Sequence, residues 1–123
     1  MASIDIKTVG NLLIVSVSGE LTAEEMITVV NDYYPNEIVK DVIWDISNGS
    51  LSSISKEGFM AVASAVKESL AKGSRQGGKT VFVGNSEVEC SLLDMYTEMA
   101  QLTGVPIKYD VFKSVEEVRN WLK

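Results

Sequence analysis

The chain contains no histidine, one cysteine and two prolines among its 123 residues. Without histidine it lacks the side chain that most often serves as general base and as zinc ligand. A single cysteine, Cys90, can form neither an intramolecular disulfide nor a multi-thiolate metal site, and it suggests a reducing compartment. We therefore expect no catalytic residue, no metal and no cofactor.

Basic residues and long apolar runs are also scarce. Eleven lysines and arginines face seventeen acidic residues, which leaves a net charge of −6. This charge repels phosphate backbones, so nucleic acid is not an expected partner. The apolar runs are far shorter than the ~20 residues that cross a bilayer, and the first residues lack the pattern of a secretory signal. We expect a cytoplasmic protein without a membrane span.

The residues that are present are typical of one globular domain. Hydrophobic residues make up 46% of the chain and charged residues 23%, close to the average for soluble domains. No repeat, low-complexity stretch or linker divides the sequence. We therefore predict a single domain over residues 1–123.

Four amphipathic helices are predicted where apolar residues recur every three or four positions. Their expected ranges are 23–34, 55–72, 87–102 and 115–122. Three helix starts carry a serine or threonine three residues before a glutamate, which is the capping-box spacing: Thr22 with Glu25, Ser86 with Glu89, and Ser114 with Glu117. The third helix is expected to bury the apolar stripe Val88, Leu92, Met95, Tyr96 and Met99. An adaptable exposed surface is the alternative for Met60, Met95 and Met99.

Five β-rich runs accompany the helices, at residues 4–9, 12–17, 42–46, 80–83 and 107–112. Gly10-Asn11 separates the first two and favours an antiparallel hairpin. The other three alternate with helices, and right-handed crossovers make such strands parallel. The element order β-β-α-β-α-β-α-β-α therefore predicts an α/β fold with a mixed, mostly parallel five-stranded sheet.

A functional site in such a sheet is expected beyond the carboxyl ends of its parallel strands. The segment after the third strand carries Asp45 and the serines Ser47, Ser50, Ser52, Ser53 and Ser55. A nucleophilic serine needs a base that this chain lacks, so a solvated loop with Ser55 as helix cap is the simpler interpretation. No phosphate-loop motif is present, and a receiver domain would need an acidic pair where only Glu20 stands.

Several C-terminal segments resemble the SpoIIAA-like family of small bacterial proteins, which have STAS-type domains. They are Gly-Lys-Thr-Val-Phe-Val-Gly at 78–84, Leu-Leu-Asp-Met-Tyr-Thr-Glu-Met-Ala at 92–100, and 111–122 with its paired acids and closing Trp-Leu. Trp44-Asp45-Ile46 matches a strand end of the family. The resemblance implies a βα superhelix with nearly sequential strand order, and a non-enzymatic protein-binding module such as an anti-sigma-factor antagonist.

The resemblance also implies a location for the binding surface. Antagonists of the family carry a phosphorylatable serine in an Asp-Ser-Ser-Gly turn at the start of the second helix. Aligned by its glycine, the turn corresponds to Ser55-Lys56-Glu57-Gly58, which retains neither serine of the motif. Ser53 or Ser55 is the alternative acceptor. The partner surface implied by the resemblance consists of Asp45, Ser47, Ser53, Ser55, Lys56, Glu57 and Gly58.

Three hypotheses follow. The first is a regulatory protein-binding module, expected to be a homodimer, and an exposed apolar patch would favour it. The second is a carrier of a small apolar or lipid-like ligand, which would need an enclosed pocket of ~300 Å³ or more. The third is an enzyme that uses Asp45 or Glu57 as base, and a raised carboxyl pKa in a cleft would indicate it. We favour the first, and expect Gly58→Arg to abolish partner binding with the fold intact.

Overall fold

The computed structural model describes residues 2–34, 40–70, 78–84, 87–102 and 108–112. In chain order the elements are β1 (Ser3–Val9), β2 (Leu12–Glu20), α1 (Ala23–Tyr33), β3 (Asp41–Ser50), α2 (Lys56–Leu70), β4 (Lys79–Val83), α3 (Glu87–Leu102) and β5 (Lys108–Phe112). The helix predicted over 115–122, together with the expected caps Ser86 and Ser114, lies outside the described residues.

The five strands form one sheet in the order β1-β2-β3-β4-β5. β1 pairs antiparallel with β2, and Gly10 at φ 61° forms the tight turn between them. β2, β3, β4 and β5 pair in parallel with one another. The predicted α/β class, the hairpin opening and the sequential strand order are confirmed.

β2 and β3 are longer than predicted and contain a bulge. The pair Ser16 and Asp45 is followed by the pair Ser18 and Asn48, so β3 has one extra residue at this point. Pairing then continues to Glu20 and Ser50, where a loop was expected. The polar composition of both segments concealed this extension, because their pairing depends on the register of the neighbouring strand and on no local apolar pattern.

The main core lies between one face of the sheet and all three described helices. Trp44 in β3 and Phe82 in β4 are 1% exposed. The Tyr96 ring of α3 lies 5.6 Å from the rings of both Phe59 and Phe82. A smaller cluster, Ile43, Val81 and Val83, is buried on its own with Leu12, Ile14 and Phe112 packed against it. All three described helices therefore contribute side chains to the main core.

Tyr34 follows α1 and is buried, and its hydroxyl accepts a hydrogen bond of 3.0 Å from Trp44 Nε1. Buried indole N–H groups need such a partner. For the pair Tyr33-Tyr34, burial and an interface role were both open on sequence grounds. The structure assigns Tyr34 to the core, where it joins α1 to β3.

The predicted stripe of α3 is partly wrong. Tyr96 is buried as expected, and Leu92 and Met99 are half-buried and pack against the core, but Met95 is exposed. The side chain of Val88 lies outside the described residues. The fully buried residues beside Tyr96 are Cys90, Leu93 and Ala100. Apolar residues occupy two faces of this helix, and periodicity alone could not decide which face packs on the sheet. None of the helices in the described part of the chain combines the length and the hydropathy of a membrane-spanning segment.

Candidate functional site

The carboxyl ends of β2 and β3 meet the starts of α1 and α2 at one junction. The Leu21 N–H donates to the Ser50 carbonyl at 2.9 Å, which joins the end of β2 to the end of β3. A Cβ atom placed on Gly58 of α2 would lie 3.1 Å from the Ala23 Cβ of α1, so the two helix starts are in contact. The segment from Leu51 to Gly58 thus lies at the carboxyl end of the parallel strands, where a site is expected in this architecture.

The segment from Leu51 to Gly58, which we name the α2 turn, contains most of the predicted site residues. Ser53, Ser55, Lys56 and Glu57 are exposed, and Gly58 is half-buried. Leu51 and Ile54 point inward, at 0% and 7% exposure. Two buried residues therefore anchor an exposed polar turn.

Hydrogen bonds hold the α2 turn in place. The Ile54 N–H donates to the Leu51 carbonyl at 3.0 Å. The Ser52 hydroxyl donates to the Glu20 carboxylate at 3.2 Å and lies 2.9 Å from the Ser50 hydroxyl. Ser50 and Ser52 lie in the serine-rich segment noted in the sequence, but Glu20 was not predicted at this site, since only the parallel pairing of β2 with β3 brings Glu20 to this turn.

Ser55 is the N-cap of α2, as predicted. Its hydroxyl accepts from the Gly58 N–H at 3.1 Å, and its carbonyl accepts from the Phe59 N–H at 3.0 Å. Ser53 differs, because its side chain is exposed and its hydroxyl makes no hydrogen bond within the described part of the chain. Of the two serines, Ser53 is the one whose modification would leave the helix cap intact.

α1 begins with the predicted capping box. Thr22 Oγ1 accepts from the Glu25 N–H at 3.1 Å, and Glu25 Oε1 accepts from the Thr22 N–H at 3.1 Å. The reciprocal pair satisfies two backbone N–H groups at the start of the helix. Both helix starts at the junction are therefore closed by their own side chains.

Asp45 and Ser47 lie apart from the α2 turn, within β3 at the bulge. Asp45 Oδ1 accepts from the Ser47 backbone N–H at 3.1 Å and from the Ser47 hydroxyl at 2.6 Å. Both side chains are half-buried. The Asp45 carboxylate thus binds both donors of Ser47, which lies within the bulge of β3. We therefore interpret Asp45 and Ser47 as residues that stabilise the bulge.

Asp45→Ala is expected to lower the free energy of unfolding by about 1–2 kcal/mol, since it removes a charge-assisted acceptor from the Ser47 N–H and hydroxyl. Asp45→Asn keeps one side-chain oxygen in place and should cost less than half as much. Urea unfolding followed by circular dichroism measures both variants. Equal losses, or a loss below ~0.3 kcal/mol for alanine, would contradict the structural role.

Gly58 lies where a side chain has little room. A Cβ there would be 3.1 Å from both Ala23 Cβ and Ile54 Cγ2, which is closer than ordinary van der Waals contact. We therefore no longer expect Gly58→Arg to leave the fold unchanged, because the added side chain would press on α1 and on Ile54. A variant that reports on partner binding has to be placed at an exposed residue of the α2 turn.

An exposed apolar patch lies beside the α2 turn. Met60 of α2 is 50% exposed, and Met95 and Leu102 of α3 are 37% and 87% exposed. A groove of about 290 Å³, open to solvent, is lined by Lys56, Met60, Met99 and Leu102. The alternative of an exposed methionine surface thus holds for Met60 and Met95. In the described residues no group of three or more acidic or cysteine side chains could hold a metal ion.

The architecture is the SpoIIAA-like fold. The chain is similar to the anti-sigma factor antagonist SpoIIAA in its unphosphorylated form, with 12% identity, coverage of 98% of this chain and 96% of that chain, and a TM-score of 0.60. It is also similar to an anti-sigma factor antagonist from Mycobacterium paratuberculosis, with 14% identity, coverage of 98% and 93%, and a TM-score of 0.61.

A third similar structure is an uncharacterized protein with a SpoIIAA-like fold from Shewanella loihica, at 15% identity, coverage of 99% and 94%, and a TM-score of 0.55. No family model and no curated protein matches the sequence. The three structures confirm the fold implied by the C-terminal segments. At this level of identity they show the fold alone.

Proposed function

We propose that this protein is a non-enzymatic regulatory module that binds a protein partner through the α2 turn, as a cytoplasmic homodimer. The observation that carries the proposal is the exposed segment Ser53 to Glu57, held on a hydrogen-bonded junction in a fold shared with two anti-sigma factor antagonists. When the antagonist turn is aligned by its glycine, Lys56 and Glu57 correspond to the serines of that turn. The proposed module therefore binds without the phosphoserine switch at those positions.

The geometry of the α2 turn suits protein recognition. Its exposed residues are flanked by the buried anchors Leu51 and Ile54 and braced by the Ser52 to Glu20 hydrogen bond. A surface that is ordered before binding loses little conformational entropy when a partner docks. The adjacent exposed patch of Met60, Met95 and Leu102 supplies the apolar area that such contacts need.

The carrier of a small apolar ligand receives less support. Binding pockets bury most of their ligand, whereas the groove lined by Met60, Met99 and Leu102 is open to solvent. An apolar molecule in it would remain largely in contact with water.

The test is a comparison of captured proteins from the native host by quantitative mass spectrometry. The variant Ser53→Arg places a bulky charge on the α2 turn, and Thr8→Arg places the same side chain on exposed β1. We expect wild type and Thr8→Arg to capture the same partner in equal amounts, and Ser53→Arg to capture at least ~10-fold less. A bulky charged side chain inside the interface would have to cost about 1.4 kcal/mol of binding free energy to produce this loss. Equal capture by all three proteins would overturn the proposal.

The proposed dimer has a separate test. Light scattering at tens of micromolar measures the oligomeric state, and a strictly monomeric protein would contradict the homodimer.

A further inference from the structure

α3 carries two apolar faces, and one of them is only partly covered by the described part of the chain. Cys90, Leu93, Tyr96 and Ala100 face the core. The second face, which we name the α3 seam, consists of Leu92, Met95, Met99 and Leu102. Their spacings of three, four and three residues place all four on one stripe of the helix, the spacing with which one helix meets another.

The α3 seam is accessible along its length. Met95 is 37% and Leu102 87% exposed, while Leu92 and Met99 are half-buried. A groove of about 510 Å³ is lined by Glu87, Ser91, Leu92 and Met95, and the 290 Å³ groove continues the surface to Met60 and Lys56 of α2. Methionine is flexible and polarizable, so this surface can adapt to the side chains of a partner.

Charge decides what kind of partner fits. α3 contains the acidic residues Glu87, Glu89, Asp94 and Glu98 and no lysine or arginine. Glu87 and Ser91 border the seam on its outer side, and Glu98 borders Leu102 in a further groove. The whole chain has a net charge of −6. The outer border of the stripe is acidic, whereas Lys56 lines it on the α2 side. The seam is therefore complementary to an apolar stripe whose basic residues lie along its outer border.

We propose that the α3 seam docks a basic amphipathic helix of a partner protein. The helix lays its apolar side chains on Leu92, Met95, Met99 and Leu102, and its lysines or arginines face Glu87 and Glu98. A second copy of this chain is a poorer occupant, because pairing two α3 helices would bring their acidic borders together. The α3 seam shares Met95 and Leu102 with the apolar patch beside the α2 turn, but it does not include Ser53. The variant Ser53→Arg therefore distinguishes a failure of one proposal from a failure of the other.

The test uses a synthetic helical peptide of about 18 residues, close to the length of α3, with leucines at three- and four-residue spacing and lysines beside them. A matched peptide carries glutamate in place of lysine. Fluorescence anisotropy measures the binding of each peptide to the full chain at about 50 and 500 mM salt. The variants are Met95→Ser with Leu102→Ser, and Glu87→Lys with Glu98→Lys. Val9→Ser is the control, since Val9 is 53% exposed on β1.

We expect wild type, Val9→Ser and Ser53→Arg to bind the basic peptide equally, with weaker binding at high salt. Both double variants should weaken binding at least ~10-fold, and the acidic peptide should bind at least ~10-fold less tightly than the basic one. Unchanged binding by the serine double variant would show a general attraction to the negative chain and overturn the proposal. No binding below ~1 mM, or self-association of wild type that the serine double variant abolishes, would overturn it as well.

Discussion

Replacing Trp44 by alanine is expected to lower the free energy of unfolding by about 3–5 kcal/mol, the usual cost of truncating a buried aromatic side chain. Trp44 is 1% exposed at the centre of β3, where it pairs with Val15 on one side and Phe82 on the other. The truncation empties the space between the sheet and the helices and removes the hydrogen bond to Tyr34. The free energy of unfolding of a small domain is about 5–15 kcal/mol in total, so this variant is expected to be severely destabilised.

Chemical unfolding by urea, followed by circular dichroism, measures the loss. Met60→Ala serves as the control, because half of that side chain is exposed and its removal should cost less than ~1 kcal/mol. If the Trp44 variant does not fold, Tyr34→Phe tests the same contact alone and should cost about 1–3 kcal/mol by leaving the indole N–H unsatisfied. Tyr33→Phe, its half-buried neighbour, should be neutral. A neutral Tyr34→Phe would contradict the buried contact.

Gly58→Arg is expected to lower stability by about 1–3 kcal/mol, the usual cost of overpacking. Any side chain here starts 3.1 Å from Ala23 of α1 and from Ile54 of the α2 turn, and the remaining atoms of arginine extend from that crowded point. The variant should therefore alter the α1 and α2 contact as well as any partner binding. Loss of binding in Gly58→Arg alone would not locate the partner surface.

Glu57→Arg is the matched control, since it adds the same side chain one residue earlier at an exposed position. Its stability should stay within ~0.5 kcal/mol of wild type. Melting curves of the two variants, recorded side by side, make the comparison. Equal stability of both would show that Gly58 has more room than its contacts with Ala23 and Ile54 indicate.

The local signals in the sequence were sufficient for most of the fold. The Thr22 and Glu25 capping box predicted the start of α1 at Ala23, and the apolar period predicted α3 over 87–102 as observed. Gly10-Asn11 predicted the hairpin. In each case the deciding interaction joins residues a few positions apart, so it can be read without knowledge of the tertiary structure.

Interactions between distant segments were not predictable in the same way. The hydrogen bond between Ser52 and Glu20 forms only because β2 pairs with β3 in this register. The bulge that Asp45 stabilises depends on the same pairing. The predicted orientation of α3 was partly wrong for a related reason. Leu92 and Leu93 are equally apolar, and the packing of the helix on the sheet, with Tyr96 against Phe82, decides which of the two is fully buried.

The candidate site shows the same division. The resemblance to antagonist turns pointed to the segment Ser55 to Gly58. In the structure this segment lies at the start of α2, with Ser55, Lys56 and Glu57 exposed and Gly58 half-buried. Contacts that cannot be read from the sequence decide which of the predicted residues are free to bind a partner. Ser55 caps the helix, Gly58 packs on α1, and Asp45 stabilises a bulge. Ser53, Lys56 and Glu57 remain as the exposed residues through which the α2 turn would bind.

Amide hydrogen exchange of the full chain, with and without the protein captured from the host, tests the proposed binding surface most directly. We expect slower exchange on complex formation for the backbone amides from Leu51 to Gly58, with little change in β1. Protection confined to β1, or a complex that leaves the α2 turn exchanging as fast as in the unbound protein, would contradict it.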